Sequence, residues 1–147
     1  MFKELHFCML GSIAVMELSG IGSWNEPVLK CLLANLRTTG TLGFRGNRIS
    51  DDELQKNGWR YYWTKEHTNF RPHYESWLWA CFLWAYHHTG FAPFLEKAKM
   101  AISMTMAAYP EEWRWTNGIQ QERGRMLLPL AWLVRVEDSG EHRMWLR

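Results

Sequence analysis

Apolar residues recur at helical spacing through most of the chain, and glycine, proline or capping residues bound each run. Residues 25–39, NEPVLKCLLANLRTT, place Pro27 in the first turn and Gly40 just past the end, as helix termini favour. Between these two signals the apolar positions follow the helical period, and they are Val28, Leu29, Leu32, Leu33 and Leu36. The pattern predicts a helix over residues 25–39.

Similar signals predict the helices that follow. Ser50 with Glu53 three residues later matches a capping box, which predicts a short helix ending near Gly58. A loop rich in aromatic and basic residues, WRYYWTKEHTNFR, then leads to Pro72. Prolines in first turns and a glycine past a helix end predict helices over residues 72–89 and 93–108. A further helix is predicted over residues 117–136, and a serine cap predicts a last short helix from Ser139.

One of these helices has no polar face. Every residue from Trp77 to Tyr86 is apolar, so this helix must be enclosed on all sides. The stretch LLPLAWLV, residues 127–134, is wholly apolar, and we expect it to be buried all round as well. No segment alternates with period two over a useful length, so we predict an all-α fold of helical hairpins, stacked side by side or closed in a ring.

Length and charge restrict the class of protein. With 147 residues, 47% of them hydrophobic, the chain matches a single all-helical domain over residues 1–147. Its 17 basic and 15 acidic residues leave a formal charge of +2, which provides no electrostatic footprint for nucleic acid. The longest apolar runs are about half the roughly 20 residues of a membrane span. The opening segment ends at Glu17 without a small-residue cleavage site, and we interpret it as a buried helix rather than a signal peptide.

Cysteine and histidine positions do not suggest metal chemistry. Cys8, Cys31 and Cys81 sit singly in apolar runs without CxxC spacing, which predicts buried free thiols rather than disulfides or a zinc site. No histidine spacing matches a metal site, and no phosphate-binding glycine motif occurs. The sequence therefore predicts neither a metal nor a cofactor.

The first candidate site begins the enclosed helix. His73, Tyr74 and Glu75 occupy its first turn, where backbone N–H groups lack partners and the helix dipole favours anions. Glu75 could simply complement the helix end. The functional interpretation is that the end of an enclosed helix forms a cavity mouth, where Glu75 acts as an acid or base and His73 hydrogen-bonds a substrate.

The second candidate site lies in PEEWRWTNGIQQERGRM, residues 110–126. Glu122 and Arg125 are three residues apart on the predicted helix, so a local ion pair is available to them. The alternative is that some of the strongly polar residues at this helix start face the interior and need polar partners there. These residues are Gln120, Gln121, Glu122, Arg123 and Arg125. A polyhydroxylated ligand would supply such partners.

Aromatic residues accompany both sites. Trp113 and Trp115 precede the second helix start, and their alternate spacing would turn them the same way in an extended segment. Asn117 is the expected helix cap. A second group, Trp59, Tyr61, Tyr62 and Trp63, occupies the earlier loop. Indole faces stack on sugar rings, so these residues could bind a sugar. The alternative is that all six aromatic residues pack between helices.

Three segments together resemble uncharacterised bacterial glycoside hydrolases of the six-hairpin, (α/α)6-toroid class. They are LANLRTTGTLGFRG, RPHYESWLWACFLWAYHHTG and YPEEWRWTNGIQQERGRMLLPLAWLVRVED. The resemblance covers roughly residues 9–147. It implies a ring of helical hairpins with the active site at one end of the inner helices, lined by Trp and Tyr and served by two carboxylates.

The resemblance implies particular roles for residues of this chain. Glu75 and Glu122 would be the catalytic carboxylates acting on an oligo- or polysaccharide, and the possible sugar contacts are His73, Trp113, Trp115, Gln121 and Arg125. A complete toroid has twelve helices, whereas this chain has room for about five or six. We therefore expect a partial (α/α)6 toroid whose partners are the missing hairpins of the full-length enzyme, periplasmic or extracellular if that enzyme carries a signal peptide.

Two other functions stay open. In a polysaccharide lyase of similar fold, Tyr74 or His73 would remove the C5 proton, and Asn117 or an arginine would neutralise the uronate. Alternatively, the short chain could be a noncatalytic helical binding or interaction domain. Fold analogy alone does not choose among these functions.

Overall fold

The computed structural model describes residues 13–14, 17–18, 25–45 and 49–147. Six helices lie in this part of the chain: α1 Asn25–Arg37, α2 Asp51–Trp63, α3 Pro72–Thr89, α4 Ala92–Ala107, α5 Ile119–Val136 and α6 Gly140–Leu146. No strand occurs among the described residues, so the all-α prediction is confirmed. Of the predicted opening helix only Ile13, Ala14, Glu17 and Leu18 are described, and all four are helical. Its other residues, Cys8 among them, lie outside the described part.

Most predicted helix ends are confirmed. Pro72 is in the first turn of α3, and Gly90 ends this helix in the left-handed conformation, with its N–H donating to Tyr86 O at 2.7 Å. Pro93 lies in the first turn of α4. The Ser139 side chain caps α6 by accepting from the backbone N–H of His142 at 3.1 Å. Local capping chemistry therefore sets these boundaries.

Helix α2 begins as predicted but continues further. Ser50 and Glu53 form the capping box, with the Glu53 N–H donating to Ser50 Oγ at 3.2 Å. The regular helix is interrupted at Gly58, close to the predicted end, where φ is 70° and ψ is 163°, but a second helical stretch that the sequence did not predict continues to Trp63. Tyr62 is buried and Trp63 packs against the core. The last turn is therefore held by tertiary packing, and part of the predicted loop is helical.

The predicted enclosure of the apolar run in α3 is confirmed for its middle, whereas Trp77 and Tyr86 at its two ends are partly buried. From Leu78 to Ala85 no residue is more than 1% exposed. The indole N–H of Trp79 donates to Gly43 O at 3.0 Å, so the largest polar group within this run is satisfied. Although α3 is this apolar, no helix in the described part of the chain is long and apolar enough to cross a membrane.

Helices α3 and α5 pack side by side and run parallel. At their starts His73 Nδ1 lies 3.7 Å from Glu122 Oε1, and near their ends Arg135 Nη2 lies 3.4 Å from His87 Nε2. The short connection at Gly90 reverses the chain, so α4 returns along α3 and its Phe94 ring lies 5.5 Å from that of Phe82. Helices α3 and α4 thus form a hairpin, and α4 leads back to the start of α5.

The predicted burial of residues 127–134 on all sides is wrong. Met126, Leu130 and Leu133 are at most 2% exposed, whereas Leu127 is 55% and Leu128 38% exposed. Helix α5 packs mainly against α3, with α4 and α6 adding smaller contacts. Because these neighbours cover only one side of α5 in the described structure, its second apolar side faces outward.

A buried lysine joins α1, α2 and α4. Lys97 is 8% exposed. Its Nζ donates to Gly40 O at 2.6 Å and lies 4.1 Å from the Trp63 ring centroid. Burial lowers the pKa of Lys97, and the nearby Glu96 partly offsets this effect. The backbone also comes close here, because a Cβ added at Gly43 would lie 1.9 Å from Lys97 O.

Gly43→Ala should destabilise the protein much more than Gly90→Ala. Both glycines have positive φ, 81° and 66°, so each substitution incurs the left-handed penalty of about 1–2 kcal/mol. A Cβ added at Gly43 would also lie 1.9 Å from the backbone oxygen of Lys97, whereas a Cβ at Gly90 would meet nothing within 4 Å. We expect a loss of about 3–4 kcal/mol for Gly43→Ala in urea unfolding. Equal losses in the two variants would contradict the close approach.

Cys81 should resist alkylation in the folded protein. Burial raises the pKa of its thiol to about 12, so about one thiol in ten thousand is thiolate at pH 8, and the thiolate is the reactive form. We expect mass spectrometry to find Cys81 unlabelled by iodoacetamide until denaturant is added. The partly buried Cys31 is the internal comparison. Labelling of Cys81 at equal rates with and without denaturant would show that α3 is not enclosed.

Candidate active site at the starts of two parallel helices

The starts of α3 and α5 meet at one end of the molecule. The loops that precede them are tied together, because Arg114 donates its backbone N–H to Phe70 O at 2.9 Å and Arg71 Nη2 donates to Thr116 Oγ1 at 3.0 Å. Each helix contributes one buried carboxyl group here, from Glu75 at 2% and Glu122 at 0% exposure. The structure therefore brings the two predicted catalytic residues to the same end of the helix pair.

Glu75 is held by groups from two other segments. Its Oε2 accepts from the backbone N–H of Arg45 at 3.3 Å, and its Oε1 accepts from Asn69 Nδ2 at 3.4 Å. Burial lowers the pKa of the Arg45 guanidinium, and the charge of Glu75 acts in the opposite direction. Glu75 thus complements the start of α3 and also organises the loop around Arg45.

Glu122 has one bonded oxygen and one that is available. Arg125 Nη1 donates to its Oε1 at 2.8 Å, which is the local pair that the spacing allowed. The same oxygen lies 3.7 Å from His73 Nδ1. Glu122 Oε2 is buried and has no hydrogen-bond partner among the described residues. A buried carboxylate oxygen without a partner is costly, so this atom is the part of the carboxyl group best placed to accept a hydrogen bond from a ligand.

The other polar residues of this helix start point outward. Gln120, Gln121 and Arg123 are exposed, and Arg125 is partly buried. Asn117 is exposed and is not the helix cap, so that prediction is wrong. Gly118 takes the N-cap position instead, with φ 106° and no side-chain hydrogen bond. Because glycine has no side chain, the first turn of α5 receives no side-chain cap.

The two loop tryptophans do not turn the same way. Trp113 is 3% exposed, its indole N–H donates to Thr105 O at 2.7 Å, and its ring packs edge-to-face on Tyr109. Trp115 is 53% exposed. Trp113 thus wedges against α4, and Trp115 is the indole left open for stacking. The side chain of Tyr74 lies outside the described part.

Sequence reasoning missed Arg45, Asn69 and Arg71 as parts of this site. Arg45 is 30 residues before Glu75, in the connection after α1. Asn69 and Arg71 stand just before Pro72, and their polar character directly ahead of a buried helix was the only local signal for them. Within the described part of the chain, no three His, Cys, Asp or Glu residues cluster as a metal site would require.

No family model, no curated protein and no solved structure significantly matches the chain. The resemblance to six-hairpin hydrolases therefore stays a prediction. Any function assigned to the chain depends on the geometry and chemistry of its own residues.

Arg125→Ala should destabilise the protein by about 3 kcal/mol, because it leaves Glu122 as an unpaired buried carboxylate. The arginine side chain is 14% exposed and its partner is 0% exposed. Urea unfolding would measure the loss, and Arg123→Ala, an exposed neighbour, should change stability by less than about 0.5 kcal/mol. Adding Glu122→Gln to Arg125→Ala should recover part of the loss. If the losses in unfolding free energy of the two single variants simply add in the double variant, Glu122 and Arg125 do not stabilise each other.

Proposed function

We propose that this chain is part of a carbohydrate-active enzyme that hydrolyses glycosidic bonds with Glu75 and Glu122. The observation that carries the proposal is that two parallel helices each hold one buried carboxyl group near their starts, with His73 beside Glu122. Glycoside hydrolysis in most families needs two carboxyl groups flanking the scissile bond. A pair held at one helix end is the kind of arrangement that could meet this requirement.

The two carboxyl groups have different surroundings, which suggests different roles. Glu75 accepts hydrogen bonds at both oxygens, as suits a carboxylate that acts as base or nucleophile. Glu122 is paired with Arg125 and keeps one oxygen without a partner among the described residues, and we assign that oxygen to contacting the substrate at the scissile bond. His73 would orient Glu122 or bind a sugar hydroxyl. The loops that precede the two helices are joined by the hydrogen bond from Arg71 to Thr116.

The helix arrangement is compatible with a toroid. In this proposal α3 and α5 are inner helices that run parallel, and α4 is an outer helix that returns between them. The active site then lies where inner helices start. Leu127 and Leu128 on the outward side of α5 offer neighbouring hairpins an apolar surface on which to pack. This part of the proposal relies on fold analogy.

Glu75→Gln and Glu122→Gln should each lower hydrolysis of oligosaccharides by about 10²- to 10⁴-fold, because each removes one proton-transfer group. The assay is release of reducing ends from a panel of glycans, with product configuration read by NMR to tell inversion from retention. Glu96→Gln, at an exposed position of α4, is the matched control. Circular dichroism and urea unfolding would establish that each variant is folded.

The same assay separates the competing functions. An unsaturated product that absorbs in the ultraviolet would identify a lyase instead of a hydrolase. Sugar binding without turnover would indicate a binding domain. If both folded variants keep full turnover, the two carboxyl groups are not catalytic.

A further inference from the structure

A polar pocket of about 230 Å³ lies between α2 and the connection after α1. Six polar side chains around it can donate hydrogen bonds: Arg45, Asn57, Tyr61, Tyr62, Lys65 and His67. The volume is smaller than the roughly 300–1,000 Å³ of pockets that hold drug-sized ligands. It therefore suits one sugar ring or one small charged group.

Two cations, Arg45 and Lys65, line this pocket. Arg45 is 8% exposed, and its Nε donates to Thr38 Oγ1 at 3.0 Å, which orients the guanidinium. Lys65 stands at the rim with its Nζ 6.0 Å from the Tyr61 ring centroid. Among the described lining residues Glu53 is the only carboxylate, and its Oε2 already accepts from Ser50 N and Oγ.

Two further groups in this pocket have unused hydrogen-bonding capacity. His67 Nδ1 is buried without a hydrogen-bond partner in the described structure. Asn57 Nδ2 donates to the Tyr62 hydroxyl at 3.4 Å, so the hydroxyl accepts there and its own proton can be donated. The Tyr61 and Tyr62 rings pack edge-to-face at 5.1 Å, which fixes their positions.

We propose that this pocket binds the carboxylate of an acidic sugar, so that the substrate is a uronic acid-containing oligosaccharide. Arg45 connects the two sites, because its backbone N–H donates to Glu75 while its side chain lines the pocket. An arginine pairs with a carboxylate through parallel N–H donors. The tyrosine and asparagine groups would hold the ring hydroxyls. The role in substrate choice rests on the proposed function, but binding can be tested without turnover.

Glucuronate should bind the whole chain at least about tenfold more tightly than glucose, because a charged hydrogen-bonding partner contributes more than a neutral one. Calorimetry would measure affinity, and NMR would locate binding through the His67 and Tyr61 resonances. Lys65→Gln should weaken glucuronate binding by about tenfold and leave glucose unchanged. Lys56→Gln, at an exposed position of α2 that does not line the pocket, is the matched control and should have no effect.

Three results would overturn the proposal: equal affinity for glucuronate and glucose, equal effects of Lys65→Gln and Lys56→Gln, or inorganic phosphate binding the site as tightly as glucuronate. The last result would mean that the pocket takes a simple oxyanion. Hydrolysis of neutral glycans in preference to acidic ones would reject the acidic substrate and leave the hydrolase proposal standing. Tight glucuronate binding with no hydrolysis would reject the hydrolase and keep the pocket.

Discussion

The enclosure of α3 is the constraint on which the rest of the structure depends. A helix without a polar face is stable in water only when other segments cover it on every side. Here α1, α4 and α5 pack around it, and the Phe44 ring packs edge-to-face on Trp79. The connection after α1 is drawn onto the same core through the bond from Trp79 to Gly43.

Because the middle of α3 is apolar, its polar groups collect at its two ends. At the C-terminal end His88 contacts Glu17, and this hydrogen bond is the main cause of the lowered pKa of the Glu17 carboxyl. That cluster is largely exposed. At the N-terminal end Glu75 and Glu122 are buried and held by specific donors. Buried carboxyl groups need such organisation, which makes this end the stronger candidate for chemistry.

Much of the fold could be predicted because its signals are local. Capping residues, first-turn prolines and the glycine after α3 act on their own helix ends, so the ends of α3, α4 and α6 follow from neighbouring residues. The candidate site was predictable only in part. Glu75 and Glu122 are recognisable as carboxyl groups at helix starts, but the support from Arg45 comes from 30 residues away.

The sequence by itself determined the helical class, most helix ends and the burial of α3, because capping and hydrophobic periodicity operate within a few residues. Tertiary structure alone decided that α2 continues past Gly58, that one side of α5 is exposed, and that Trp113 is buried while Trp115 is open. It also decided that the starts of α3 and α5 lie next to each other. These outcomes depend on which distant segments pack together, and that choice is made by the whole core rather than by any local pattern.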